Sequence, residues 1–312
     1  MRNKSQKSEV RSQKSKELVT FFLLLLTVHC SLFTDYAYSQ GLIVMANKIS
    51  GELPLDPDNS AWNRASGIEI PLAPQVMAKP RVYESGIKKL NVRALHNTKE
   101  AAFLLTWEDN TEDAAVDVDR FSDAVALEFP SSSSEGKPHF AMGDTEKTVN
   151  IWFWKAAWQS RSDGDKVYAT SDDFLGGVLA GNPVSEERTL PVENLVAQGF
   201  GSATDMEKAD IQNITGSGKW KSGKWAVVFK RPLTSDGRFN VKFKEGSVTP
   251  LAFAVWNGSE GDRGGRKVVS TWYYVGFETE EKKTIYFYPV LAFIGALGIE
   301  AGIIMGIRRK RV

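Results

Sequence analysis

Cysteine is almost missing from this 312-residue chain: Cys30 is the only one, and it lies in an apolar stretch near the N-terminus. A body without cysteine forms no disulfide, no Cys-ligated iron–sulfur cluster, no zinc–thiolate site and no covalent c-type haem, and it has no thiol nucleophile. Histidine is nearly as scarce, with only His96 and His139 beyond residue 39. Two are too few for a His-built metal cluster and a thin basis for a hydrolytic triad, and no G-x-S-x-G elbow is present. A surplus of one charge is missing too. With 39 basic against 38 acidic residues, nothing is left over to displace counterions from nucleic acid, and no nucleic-acid partner is expected. No P-loop occurs. Gly258 to Gly265 (GSEGDRGG) reads as a turn, and the pairs Asp172-Asp173 and Glu186-Glu187 read as solvated loop charges.

What is present is uneven along the chain. Residues 1–39 open with Arg2, Lys4, Lys7, Arg11, Lys14 and Lys16. An apolar run from Leu18 to Phe33 follows, then Ala37-Tyr38-Ser39 before Gln40. That order is expected of a secretory signal peptide ending at Ser39, a retained anchor being the other reading. No twin-arginine pair occurs within residues 1–39, which favours export unfolded and insertion of any cofactor outside the cytoplasm. Near the other end, Ile285 to Ile307 is a 23-residue, almost wholly apolar stretch. At about 1.5 Å per residue it is long enough for a hydrocarbon core of about 30 Å. Arg308-Arg309-Lys310-Arg311 follows directly, so residues 308–312 are expected as a cytoplasmic tail, with the body exported and held at the membrane. Glu300 within this transmembrane helix is a functional candidate, or a side chain that snorkels towards the arginines. Between the two ends, residues 40–284 carry 29 basic and 34 acidic residues and all nine tryptophans.

Across the expected domain, residues 40–283, the hydrophobic period is mostly two. Leu90–His96 and Ala101–Trp107 flank a short polar turn and read as a hairpin. Asp123–Phe129, Asn150–Ala156, Trp225–Phe229, Phe239–Phe243, Leu251–Trp256 and Val268–Tyr274 are further β-rich segments. About eight strands with little helical pattern predict an all-β fold, an antiparallel β-sandwich or barrel. Gln159 to Gly218 is polar, glycine-rich and poorly periodic. It is expected to hold short helices and to serve as a partner-facing insertion.

Two segments carry possible chemistry. In Pro138-His-Phe-Ala-Met-Gly-Asp144 a methionine approaches the Trp-rich segment Asn150–Ala156. A thioether ligates iron, and aromatic walls make a low-dielectric cleft for a flat macrocycle; a plain core methionine fits the same residues. His139 is a second possible ligand three residues away. In Leu251–Trp272 an apolar strand runs into a Gly-rich loop and returns through Lys267. A lysine amine ligates iron only when deprotonated, which burial favours; a solvated lysine at a strand start is the alternative.

Several segments in order give the chain a resemblance: Leu53-Pro-Leu-Asp-Pro57 with Ala61-Trp62, Thr106-Trp-Glu-Asp109, Phe140-Ala-Met-Gly-Asp144 with Val149-Asn-Ile-Trp152, Trp225 to Leu233, Ala254-Val-Trp-Asn-Gly258, and Gly264 to Trp272. Over most of Gln40 to Tyr274 the chain resembles the haem-binding γ subunits of type II dimethyl-sulfoxide-reductase-like molybdenum enzymes, whose members act on ethylbenzene, dimethyl sulfide, selenate, chlorate and nitrite. The resemblance implies a β-sandwich holding one non-covalent haem b between a methionine and a lysine. Carried over, Met142 and Lys267 are the axial ligands, with Lys230 in reserve for the amine. Arg263 and Arg266 are candidates for the haem propionates on charge and proximity alone. The C-terminal span departs from the soluble γ subunits and suggests a membrane-anchored version.

The function this implies is electron transfer without catalysis. A b-type cytochrome subunit would relay electrons between the iron–sulfur subunit of a periplasmic enzyme with a molybdopterin catalytic subunit and a soluble cytochrome or membrane carrier. Two other readings stand beside it: a membrane-tethered module using a Trp-rich face to bind carbohydrate, and a structural anchor subunit without haem.

Overall fold

The computed structural model describes residues 43–279, except 78, 80, 117–118, 132–135, 163–189 and 206–211. The expected signal peptide, transmembrane helix, cytoplasmic tail and Glu300 all lie outside the described residues. Among the described residues no helix is long and apolar enough to cross a membrane.

Besides two 3-10 turns, Ser60–Arg64 and Gly258–Glu260, the described chain has fourteen strands and one short α-helix. In order they are β1 (Ile43–Lys48), β2 (Ile68–Pro71), β3 (Ala73–Pro74), β4 (Lys89–His96), β5 (Glu100–Glu108), β6 (Ala124–Pro130), β7 (Val149–Lys155), helix α1 (Ala156–Ser162), β8 (Val192–Ala197), β9 (Thr204–Asp205), β10 (Thr215–Trp220), β11 (Lys224–Pro232), β12 (Val248–Trp256), β13 (Val268–Val269) and β14 (Tyr273–Phe277). The expected hairpin is present as β4 and β5, in register from Asn91 opposite Thr106 to His96 opposite Ala101. Its turn closes because the Asn97 carboxamide oxygen accepts from the backbone N–H groups of Lys99 and Glu100, at 2.8 and 2.7 Å.

The strands follow one path, β10-β11-β5-β4-β1-β14-β12-β6-β7-β8-β9. Strand β12 joins its two halves. Val248–Leu251 pairs with β14, and Ala252–Trp256 pairs with β6. The inner faces of the halves pack on each other. Phe103 of β5 meets Phe129 of β6 and Trp152 of β7 at centroid separations of 6.0 and 5.8 Å, and Trp225 of β11 meets Trp154 of β7 at 5.0 Å. Such aromatic pairs contribute about 0.5–1.5 kcal/mol each beyond the area they bury.

Four expectations need correction. The sheet is not wholly antiparallel, because β1 runs parallel to both β14 and β4. Parallel neighbours need long connections, and β1 is separated from both partners by long stretches of chain, so their pairing left no local mark. Of the stretch Gln159–Gly218, residues 163–189 and 206–211 lie outside the described residues, and the described part holds β8, β9 and most of β10 as well as the end of α1. Its glycines hid β10. A Cβ at Gly218 would overlap the Trp154 ring and one at Gly216 would overlap Val192, so only glycine lets the inner sheet face approach. Phe239–Phe243 is not a strand. Val241 and Phe243 are buried nonetheless, and the segment is held by the Val241 N–H to Asn150 Oδ1 (3.1 Å) and the Phe243 N–H to the Leu233 carbonyl (2.8 Å). Val268–Tyr274 is split into β13 and the start of β14, since the chain crosses between the halves after Ser270.

A buried cation sits inside this core. Arg231 of β11 is 1% exposed and has no carboxylate partner among the described residues; its guanidinium donates to Asn150 Oδ1 (3.1 Å), Ser235 Oγ and the Val241 carbonyl (3.4 Å), beside the Trp152 ring. Burial lowers its pKa to about 10. Asn150 thereby ties three donors, Arg231, Trp152 and the Val241 backbone, to one oxygen.

Candidate functional site

Each half carries a second apolar layer on its outer face. On the first half, Trp62, Leu53 and Ile49 cover Leu95, Leu104 and Val228. On the second half the outer face is itself apolar, and small: Ala126 of β6 and Ala252 and Ala254 of β12, flanked by Ile151 and Phe153 of β7. Strands apolar on both faces need a covering layer. Here the cover is incomplete, and a cleft of about 320 Å³ remains, the size of a small-molecule or cofactor site. Three loops wall it, through Phe140–Met142, Phe200–Gly201 and Gly264–Lys267.

Met142 and Lys267, 125 positions apart, meet across this cleft, with Nζ 4.0 Å from Sδ. The Met142 backbone takes the left-handed conformation, φ 67°, as does Gly143 at φ 76°. A non-glycine residue there costs about 1–3 kcal/mol and persists only where neighbours hold it. Two neighbours do. The Met142 N–H donates to Glu128 Oε2 (3.1 Å) and its carbonyl accepts from the Gly199 N–H (2.8 Å), while Gly143 N–H closes the turn on the His139 carbonyl (3.0 Å).

Lys267 is 7% exposed, and its ammonium lies 4.7 Å from the centroid of the Trp256 ring. Burial lowers its pKa to about 8, against an opposing pull from the Glu128 charge. Glu128, 8% exposed, is the one carboxylate lining the cleft. Burial pushes it up to about 8, with Lys267 and the Met142 N–H working the other way. Its Oε1 has no hydrogen-bond partner among the described residues. Sequence reasoning missed Glu128. It takes the outward place in the alternation of Val125, Leu127 and Phe129, where a solvated glutamate would also stand. The alanines beside it, Ala124 and Ala126, were the available sign that this face is covered.

The other named residues are not brought into the cleft. Lys230 points to the first half, with Nζ 3.5 Å from Glu52 Oε1. Arg263 stacks on Phe121 at 4.3 Å and donates to the Gly261 carbonyl, and Arg266 pairs with Asp262 at 3.2 Å; they flank the wall glycines without lining the cleft. His139 lies against Phe140 at the surface, and its Nδ1 accepts from the Ala141 N–H. Buried His96 packs edge-on to Phe277. A Trp-rich binding face is absent. None of the nine tryptophans is exposed, and Trp62, Trp107, Trp152, Trp154, Trp225 and Trp256 are buried.

The donor set fits an iron carried in a flat apolar group. A thioether and an amine, 4.0 Å apart, face the same apolar space. Neither donor is tied up in an ion pair among the described residues. The rest of the lining is almost wholly carbon, as a macrocycle requires.

A family model described as ethylbenzene dehydrogenase matches residues 59–268, a span that includes Glu128, Met142 and Lys267. A protein of Haloferax mediterranei named "Putative respiratory nitrate reductase heme subunit ORF7" is 29% identical over 88% of this chain and 86% of its own length. The dimethylsulfide dehydrogenase subunit gamma of Rhodovulum sulfidophilum is 32% identical over 70% of this chain and 72% of its own. The chlorate reductase subunit gamma of Ideonella dechloratans is 26% identical over 77% and 90%. Among solved structures, a family 9 carbohydrate-binding module from Caldicellulosiruptor kristjanssonii aligns over 77% of this chain and 97% of its own, at 8% identity and a TM-score of 0.40, a likeness too loose to carry any inference.

Proposed function

The chain belongs to the ethylbenzene dehydrogenase family, alongside the γ subunits just described, and from that premise we propose that it is a haem b electron-transfer subunit and not itself a catalyst. The observation that carries the reading is the buried thioether–amine pair, Met142 Sδ and Lys267 Nζ 4.0 Å apart in an apolar cleft. Haem, when bound, supplies reversible one-electron exchange at its iron. Met142 and Lys267 would hold that iron. The loops through Phe140, Phe200 and Gly264 would keep water from it, and binding would be non-covalent because no cysteine follows Cys30. Burial lowers the pKa of Lys267 and so eases the loss of the proton that ligation requires.

In the assembled system the subunit would pass electrons between the iron–sulfur subunit of a molybdopterin enzyme and a cytochrome or membrane carrier. The names of the γ-subunit relatives support such partners. The leader and the apolar stretch 285–307 support a place outside the cytoplasm, tethered to the membrane. A carbohydrate-binding role has less support, since sugar platforms are exposed aromatic rings and no tryptophan here is exposed.

The test is the purified full-length chain, made with haem available. One haem b per chain, reduced and reoxidised without loss of the cofactor, is the expected result. A chain that binds no haem, yet melts cooperatively, would leave only a tethering or binding module.

A further inference from the structure

We infer that Glu128 is the positioning residue of this site: it holds Met142 in its left-handed turn and so aims the thioether into the cleft. The inference rests on the haem reading above and adds a residue to it.

Glu128 stands on rigid ground. On β6 it is paired on one side with Ala252 of β12 and on the other with Ile151 of β7, in the middle of the second half of the sheet. The loop carrying Met142 has no such support, being a turn outside any strand. Its connection to the sheet at the ligand itself is the hydrogen bond from the Met142 N–H to Glu128 Oε2, at 3.1 Å. That bond falls at the non-glycine residue of the cleft walls with positive φ, the place where the backbone most needs an external partner. The next residue, Gly143, is left-handed too, and a Cβ there would press on the Lys147 carbonyl, so only glycine fits the turn beside Met142.

The other carboxylate oxygen supports the same assignment. Among the described residues Oε1 is buried with no hydrogen-bond partner, an arrangement costly for a group that only caps a turn. It belongs to the one carboxylate among the residues lining the cleft that Lys267 also lines. The charge of Glu128 acts on the Lys267 amine across the cleft. Partners of this kind orient ligands and tune the metal they bind.

The test uses the full-length chain with haem supplied, as wild type, Glu128→Gln, Glu128→Leu and Met142→Ala. Two signals are read: the spectral signature of methionine ligation with the reduction potential, and the ¹³C-methyl resonance of Met142 in the haem-free chain. Glu128→Gln keeps an oxygen acceptor of the same reach and should retain methionine ligation. Glu128→Leu should bind haem but lose the methionine-ligated form by at least tenfold, with a lower potential, since methionine ligation raises it. Its Met142 methyl resonance should collapse to the shift of a mobile methionine. Glu128→Leu with wild-type methyl shift, signature and potential would overturn the inference, as would equal loss of ligation in the Gln variant. If Glu128→Leu does not fold, Glu128→Asp, one methylene short of the Met142 N–H, must show a partial loss of the signature for the inference to stand. The underlying reading fails separately, by a wild-type chain without haem or by a signature that survives Met142→Ala.

Discussion

Haem affinity should follow the protonation of Lys267, with a break where the buried amine titrates. A primary amine binds a metal only after losing its proton. Burial brings Lys267 from an ordinary 10.5 down to about 8. At pH 7 roughly 10% of that amine is free, against about 0.03% for an exposed lysine, so burial enlarges the competent population about 300-fold. From pH 6 to pH 8 the free fraction climbs from about 1% to about 50%. The apparent association constant of ferric haem should therefore rise about 50-fold over that range, with one proton released, and level off above pH 8. An exposed ligand lysine would instead give a tenfold rise per unit to beyond pH 10. The assay is a competition titration, read at the Soret band, against a haem acceptor of known affinity. Lys267→Met serves as the control for haem's own titrating groups. Glu128 raises the amine's pKa by its charge, so Glu128→Gln should move the break to lower pH. A slope that continues unbroken past pH 8, or the same break in Lys267→Met, would refute the reasoning.

Three further outcomes follow from the same contacts. Glu128 is raised in the folded chain, to about 8 from 4.5; its contribution to stability is full below pH 4.5 and is lost as pH rises towards 8, so denaturant titrations of the haem-free chain should show Glu128→Gln missing that decline. Gly218→Ala drives a Cβ into the Trp154 ring; overpacking of this kind costs about 1–3 kcal/mol, a fall of several degrees in melting temperature by calorimetry. Asn150→Ala strips the acceptor from Arg231, Trp152 and the Val241 N–H at once; at about 1–3 kcal/mol for each orphaned buried donor, chemical denaturation should show a loss well beyond that of a single core truncation.

Local physics made part of this legible in the sequence. The β4–β5 hairpin declares itself through alternation around Asn97, whose side chain builds the turn, and β6 and β7 read clearly because each puts bulky residues on one face. What failed depended on distant partners. Strand β10 needs glycine because Trp154 lies across it, and β1 takes its place only when residues from both ends of the domain meet. The Met142–Lys267 meeting joins positions 125 apart; no spacing rule reaches that far, and the pairing entered through the resemblance alone. Glu128 is invisible for another reason. One glutamate in an alternating strand looks the same in water as beneath a cleft, and only its alanine neighbours tell the two apart.

The most direct test of the central claim is the low-temperature near-infrared magnetic circular dichroism of the ferric, haem-loaded full-length chain, compared across wild type, Met142→Ala and Lys267→Ala. The account predicts a low-spin methionine–amine signature in wild type, loss of the thioether contribution in Met142→Ala, and a shift to high spin or a substitute ligand in Lys267→Ala. A wild-type signature preserved unchanged in both variants would contradict it.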